Sequence, residues 1–217
     1  MTLQNRRMQV MSKLYGEGLK FRVQALISHF KTKWPNPLHR ARAAHVAVDQ
    51  LVEENLAKVE PEGLKISCKK GCAHCCYQHV PLMEAEKDLI LRHMEEKDLV
   101  LGEEAQSRLR RQGNALKRGE WDKLRHEDKA CIFLGEDQTC QIYPVRPMAC
   151  RSYMVVSPPS QCNHRFGVQR VEIVQMPMVD LTMYGAFLTE GADKVEENIP
   201  QKFFRLLKRK LDIIIAK

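Results

Sequence analysis

Three observations predict a mainly α chain folded around an irregular, cysteine-rich metal-binding centre with one short β-hairpin. Apolar residues recur at three- and four-residue steps along most of the chain, the period of a helix with one buried face. No segment shows the regular alternation of strand and helix that a parallel sheet requires. All eight cysteines fall between positions 68 and 162, in a stretch punctuated by glycine and proline. The 217 residues are enough for an ordinary hydrophobic core. They divide into a basic helical region 1–60, a cysteine-cluster domain 61–170 and C-terminal helices 171–217 packing on it.

In order, residues 3–15 read as a helix through Met8, Met11 and Tyr15, and residues 19–33 as a second through Leu19, Val23, Leu26 and Phe30. Gly16 and Gly18 separate the two. Trp34-Pro35-Asn36-Pro37 halts the pattern, and Asn36 followed by Pro37 predicts the N-cap and first turn of a third helix over 37–58. Its core face is Ala41, Ala44, Val48 and Leu51. Pro61 and Gly63 close that helix before the first cysteines. Pro81 opens an amphipathic helix over 82–97, with Ala85, Leu89, Ile90 and Met94 inward and Glu84, Lys87, Glu95 and Glu96 in water. A charged helix over 102–118 has Ala105, Leu109 and Leu116 as a thin apolar stripe.

The texture then changes. Ile132-Phe133-Leu134 and Gln141-Ile142-Tyr143, separated by five turn-forming residues, predict the hairpin, with Cys131 and Cys140 near its two arms. Pro144 and Pro147 bracket a turn into Met148-Ala149-Cys150-Arg151, read as one helical turn, and Pro158-Pro159 places Cys162 on a loop. Val171–Val174 reads as a strand. Leu181, Tyr184 and Leu188 mark a helix, and a last one is expected over 200–215.

The chemistry is concentrated in Cys68-x3-Cys72-x2-Cys75-Cys76. Core filling does not produce four sulfurs in nine residues, whereas a short loop wrapping a soft metal ion does. Gly71 supplies a backbone turn that a residue with a Cβ resists. Adjacent Cys75 and Cys76 point different ways, so one can serve a second metal, bridge two, or stay free. With Cys131, Cys140, Cys150 and Cys162 the ligand set reaches eight thiolates. That suits two tetrahedral zinc sites, or one [4Fe–4S] cluster with a remaining set for zinc. The second block is expected to complete the first in space. His74, His79 and His164 are candidate extra ligands, although a histidine beside a cysteine loop is more often an outer neighbour. Arg146 and Arg151 are candidate donors to metal-bound sulfur. The N-terminal sequence has no apolar signal-peptide region, so a reducing, cytoplasmic setting without disulfides is expected. No apolar run reaches bilayer length.

Cys68-x3-Cys72-x2-Cys75-Cys76, then Cys131-Ile132-Phe133-Leu134, then Cys140-Gln141-Ile142-Tyr143-x2-Arg146-Pro147-x2-Cys150-Arg151-Ser152-Tyr153, resembles the CxxCxxCC family of zinc- or iron-chelating proteins over roughly residues 65–165. Members are also described as containing iron–sulfur clusters, and flagellin lysine N-methylase is a relative. The resemblance implies zinc or iron as cofactor, in a structural or redox role, and leaves catalysis undecided. The first spacing here is x3 rather than the x2 of the family's name.

Two alternatives follow from other features. A lysine N-methylase-like, metal-dependent enzyme is suggested by that relative and by the x3, x2 spacing that radical S-adenosylmethionine enzymes share. Against it, Cys76 offers a fourth sulfur, and neither a β/α barrel nor a glycine-rich nucleotide turn is evident. A nucleic-acid-binding zinc module is suggested by charge. Residues 1–45 carry Arg6, Arg7, Lys13, Lys20, Arg22, Lys31, Lys33, Arg40 and Arg42 against Glu17 alone, which accounts for the whole net charge of +8. Without a reading motif such charge is an electrostatic footprint, more often a solvated helix face, so nucleic acid is the less favoured partner. Lys202, Arg205, Lys208, Arg209 and Lys210 similarly read as the basic outer face of a core-packed helix.

Overall fold

A computed structural model describes residues 18–59, 65–69, 71–78, 80–162, 174 and 176–190. Within them the chain is mainly helical: α1 is Leu19–Lys33, α2 Pro37–Val59, α3 Glu84–Glu96, α4 Glu103–Lys117, α5 Met148–Ser152 and α6 Pro177–Leu188. Short 3-10 turns at His74–Tyr77, Trp121–Lys123, Glu127–Lys129, Tyr143–Val145 and Pro159–Cys162 carry the chain between them. The helices expected over 3–15 and 200–215, and Val171–Ile173 of the expected strand, lie outside the described residues; Val174 is not in a strand. No helix among the described residues is long and apolar enough to cross a membrane.

Local chemistry sets the helix ends. The Asn36 carboxamide oxygen accepts the amides of Leu38 and His39 at 2.9 and 3.2 Å, capping α2 with Pro37 in its first turn. Arg40 then donates to the carbonyls of Trp34 and Pro35 at 3.0 and 2.8 Å, which fixes the elbow between α1 and α2. At the start of α3 the Glu190 carboxylate, just past α6, accepts the amides of Glu84 and Ala85 at 2.6 and 2.8 Å. An acidic group there suits the positive end of the helix.

Helix α2 is the spine, packing against α3, α5 and α6, while α1 lies along α6. Phe30, Val48, Val179 and Phe187 are among the residues that form the core of this half. Gly185 lets α1 and α6 approach closely: a Cβ there would stand 2.9 Å from the Cβ of Leu26. A second apolar cluster, including Leu82, Ile90, Leu109, Phe133 and Ile142, lies under α3 and α4, with Cys131 and Cys140 packed on it.

Two expectations are corrected. Among the described residues no β-hairpin forms; the two expected arms share an isolated antiparallel bridge between Leu134 and Cys140. Both arms curl: the Leu134 amide donates to Cys131 and the Tyr143 amide to Cys140, at 3.1 and 3.2 Å, so the chain turns before a ladder can extend, and Pro144 has no amide to continue one. Lys87, placed in water by the sequence, is 9% exposed and paired with Glu84 and Asp88. The aliphatic stem of a lysine can cover apolar surface while its ammonium finds carboxylates at the rim.

Candidate metal centre

Backbone pairing ties the first cysteine loop to both sides of the second block. The Cys131 amide donates to the carbonyl of Cys76 at 2.7 Å, and the Ser67 amide to Val155 at 2.8 Å. The Cys68 thiol reaches the Tyr153 carbonyl at 3.7 Å, and the Gln78 side chain donates to the Tyr153 hydroxyl at 3.3 Å. The turn that aims the loop is at Gly71, whose φ of 85° lies in the left-handed region. All eight cysteines are free thiols, Cys162 buried and the rest half-buried.

Cys75 is their common neighbour. Its charge acts on Cys68, Cys76, Cys131, Cys140, Cys150 and Cys162. Cys72 acts on Cys68 and Cys162, whereas Cys131 acts on Cys76 and Cys150, and Cys140 on Cys131 and Cys150. The structure therefore brings sulfurs from both blocks into one electrostatic neighbourhood.

Burial and pairing set their protonation. A hydrogen bond from the Cys76 thiol pulls Cys75 down to about 7, against burial and helped by Arg146. The same bond, then burial, pushes Cys76 strongly up. Burial drives Cys131 up to about 12, and burial followed by the charges of Cys131 and Cys75 lifts Cys150 well above the ordinary thiol range. Cys68, Cys140 and Cys162 are raised chiefly by burial too. A buried set of acids that oppose one another's ionisation is one that a cation can deprotonate and bind, since metal inverts the local electrostatics.

Two arginines border the set. Arg146, stacked 4.1 Å from the Tyr143 ring, lowers Cys68, Cys75, Cys140 and Cys150 by its charge. Arg108 does the same to Cys131. The Nε of each is buried without a hydrogen-bond partner, an orphaned donor of the kind that a thiolate can accept from. Arg151, expected to play the same part, does not. Its three nitrogens donate to the Arg146 carbonyl at 2.8 Å, the Pro144 carbonyl at 2.6 Å and the Asp49 carboxylate. Arg151 is a strut of the turn carrying Cys150.

His74 sits half-buried in the 74–77 turn, while His79 and His164 lie outside the described residues. As the side chains stand, no three His, Cys, Asp or Glu groups among the described residues form an arrangement that could hold a metal ion. What fits a soft metal is the donor chemistry: reduced thiols gathered about Cys75 with unpartnered arginine donors behind them.

The supporting residues Glu86, His45 and Gln112 are missed by motif reading. Glu86, fully buried, lies four residues from both Leu82 and Ile90, so helical spacing puts it on the apolar face. His45 stands on the Ala41, Ala44, Val48 face in the same way. Gln112 donates to the carbonyls of Asp128 and Ala130 at 2.8 and 2.7 Å, anchoring the approach to Cys131; nothing in its local pattern signals this.

Residues 67–169 match the family model CxxCxxCC, described as "Putative zinc- or iron-chelating domain". No curated protein and no solved structure matches the chain at a significant level.

Proposed function

We propose that the protein holds zinc or iron through its cysteine cluster, in a structural or redox capacity. The observation that carries this reading is the bonding that brings the two cysteine blocks together, the Cys131 amide on the Cys76 carbonyl at 2.7 Å, the Ser67 amide on the Val155 carbonyl at 2.8 Å and the Cys68 thiol on the Tyr153 carbonyl at 3.7 Å. Cys68, Cys72, Cys75, Cys76, Cys131, Cys140, Cys150 and Cys162 are the ligand set from which one or two centres are drawn. Residues 61–170 form the metal-binding unit, and the helices on either side support it. Zinc would supply a fixed tetrahedral anchor, and iron, alone or in an iron–sulfur cluster, would add electron transfer. The chain's own contribution is to bury the thiols, keep them reduced side by side, and offset their charge with Arg146 and Arg108.

The test is metal analysis and a visible absorption spectrum on protein purified without oxygen, since iron–sulfur clusters are coloured and zinc is silent. Bound zinc or iron is expected, with less metal per chain in Cys72→Ser and Cys75→Ser. A metal-free wild type, or unchanged stoichiometry in both variants, would overturn the reading.

A further inference from the structure

Helix α2 precedes the cysteine domain, yet it reaches the turn that carries Cys150 at two points. The first is a buried carboxylate. Glu86 is 0% exposed, and its Oε1 accepts the His45 Nε2–H from α2 and the Met148 amide that opens α5, both at 2.8 Å. Its Oε2 accepts the Met83 amide at 3.0 Å. The second is an ion pair. Asp49 accepts from Arg151, which also donates to the carbonyls of Pro144 and Arg146. His45 and Asp49 are one helical turn apart, so the same side of α2 faces both ends of the short segment. That segment holds Arg146, whose Nε is unpartnered, and Cys150, beside Cys76, Cys131 and Cys140.

We infer that α2 is the positioning element of the metal centre, with His45 acting through Glu86 and Asp49 through Arg151 to hold Cys150 and Arg146 in place against the first cysteine loop. The inference rests on the metal reading for its consequence and on the hydrogen bonds alone for its geometry. Bonds to charged groups are the strong ones, and the Glu86 carboxylate collects three donors where water cannot compete. The clamp therefore does for a ligand-bearing turn what a partner of a ligating side chain does: it removes freedom that the site would otherwise spend on closing. Neither His45 nor Asp49 touches a thiol, and neither is a ligand in this proposal.

The test uses the full chain with its native metal and compares Asp49→Asn, Asp49→Glu and Glu86→Gln with Val48→Ala. The last loosens α2 through a fully buried apolar residue between the two anchors. Two rates are read: metal loss to a chelator, and alkylation of Cys150 relative to Cys162, mapped on peptides. Asp49→Asn and Glu86→Gln should speed metal loss by roughly tenfold or more and raise the Cys150 to Cys162 ratio, with Asp49→Glu recovering most of both. Val48→Ala should leave the ratio unchanged. If Glu86→Gln does not fold, Asp49→Asn decides. An unchanged ratio in Asp49→Asn, or an equal rise in Val48→Ala, overturns the clamp. A wild type without metal overturns the proposed function instead, and the alkylation ratio still decides the clamp.

Discussion

Helices α1, α2 and α6 bury Phe30, Val48, Val179 and Phe187 to 3% exposure or less, each in a cluster of other apolar side chains. The loops around Cys68–Cys76 and Cys131–Cys162 gather thiols near two orphaned arginine donors, with Cys131 and Cys140 seated on the second apolar cluster and the turn of Cys150 tied by Glu86 and Arg151. The first half has what a stable core needs, since each large apolar side chain taken from water contributes about 1.5–3 kcal/mol. The second buries groups that apolar packing does not satisfy. Its thiols are mostly pushed up by burial, and Arg146 and Arg108 have donors with nothing to donate to. The difference teaches that one half is held by apolar packing, while the other buries groups whose chemistry suits a cation.

Metal removal should divide the two halves most sharply. Structural zinc contributes on the order of 10 kcal/mol in small sites. Chelation is therefore expected to collapse the amide-exchange protection of Cys76 and Cys131 while leaving Val48 and Phe187 largely protected. Equal loss in both halves would break the distinction.

The reverse experiment comes next in size. Phe30→Ala, a truncation in the apolar half, should cost about 3–5 kcal/mol in denaturant unfolding with metal per chain unchanged. A parallel loss of metal in the folded variant would show that the halves are not separable.

The smallest effect lies in the polar support. A hydrogen bond from Arg125, aided by the charge of Arg111, holds the Asp128 carboxyl below its ordinary range against the effect of burial. A depressed folded value means stability that is present above about pH 4, the unfolded value, and is lost as pH falls through the folded one. Asp128→Asn should thus be less stable than wild type at neutral pH, and the gap should close under acid. Unfolding curves between neutral and strongly acid pH check it, and a gap independent of pH would remove the charge from the account.

The helix limits were legible because their signals are local. Asn36-Pro37 starts α2, and three- and four-residue spacing marks the cores of α1, α3 and α4 within a residue or two of where they run. The hairpin is expected from two short apolar runs flanking a turn, whereas the bends at Leu134 and Tyr143 depend on which carbonyl each backbone amide finds. Arg151 was misread for a related reason: proximity to Cys150 in sequence suggested a donor to sulfur, and Asp49 on α2 claims it.

Residue order alone carries the donor inventory: eight cysteines in two blocks, a glycine at the turn, and arginines beside the second block. Spacing and side-chain chemistry are properties of short segments, and they survive without a fold. Which sulfurs neighbour Cys75, and what holds Cys150 there, belongs to pairs far apart in the chain. His45 and Glu86 are 41 residues apart, Glu86 and Met148 62, and Asp49 and Arg151 102. Such pairs leave no local pattern, because loop closure costs only slightly more as the intervening chain lengthens. Packing around α2 decides which of the many affordable closures is made.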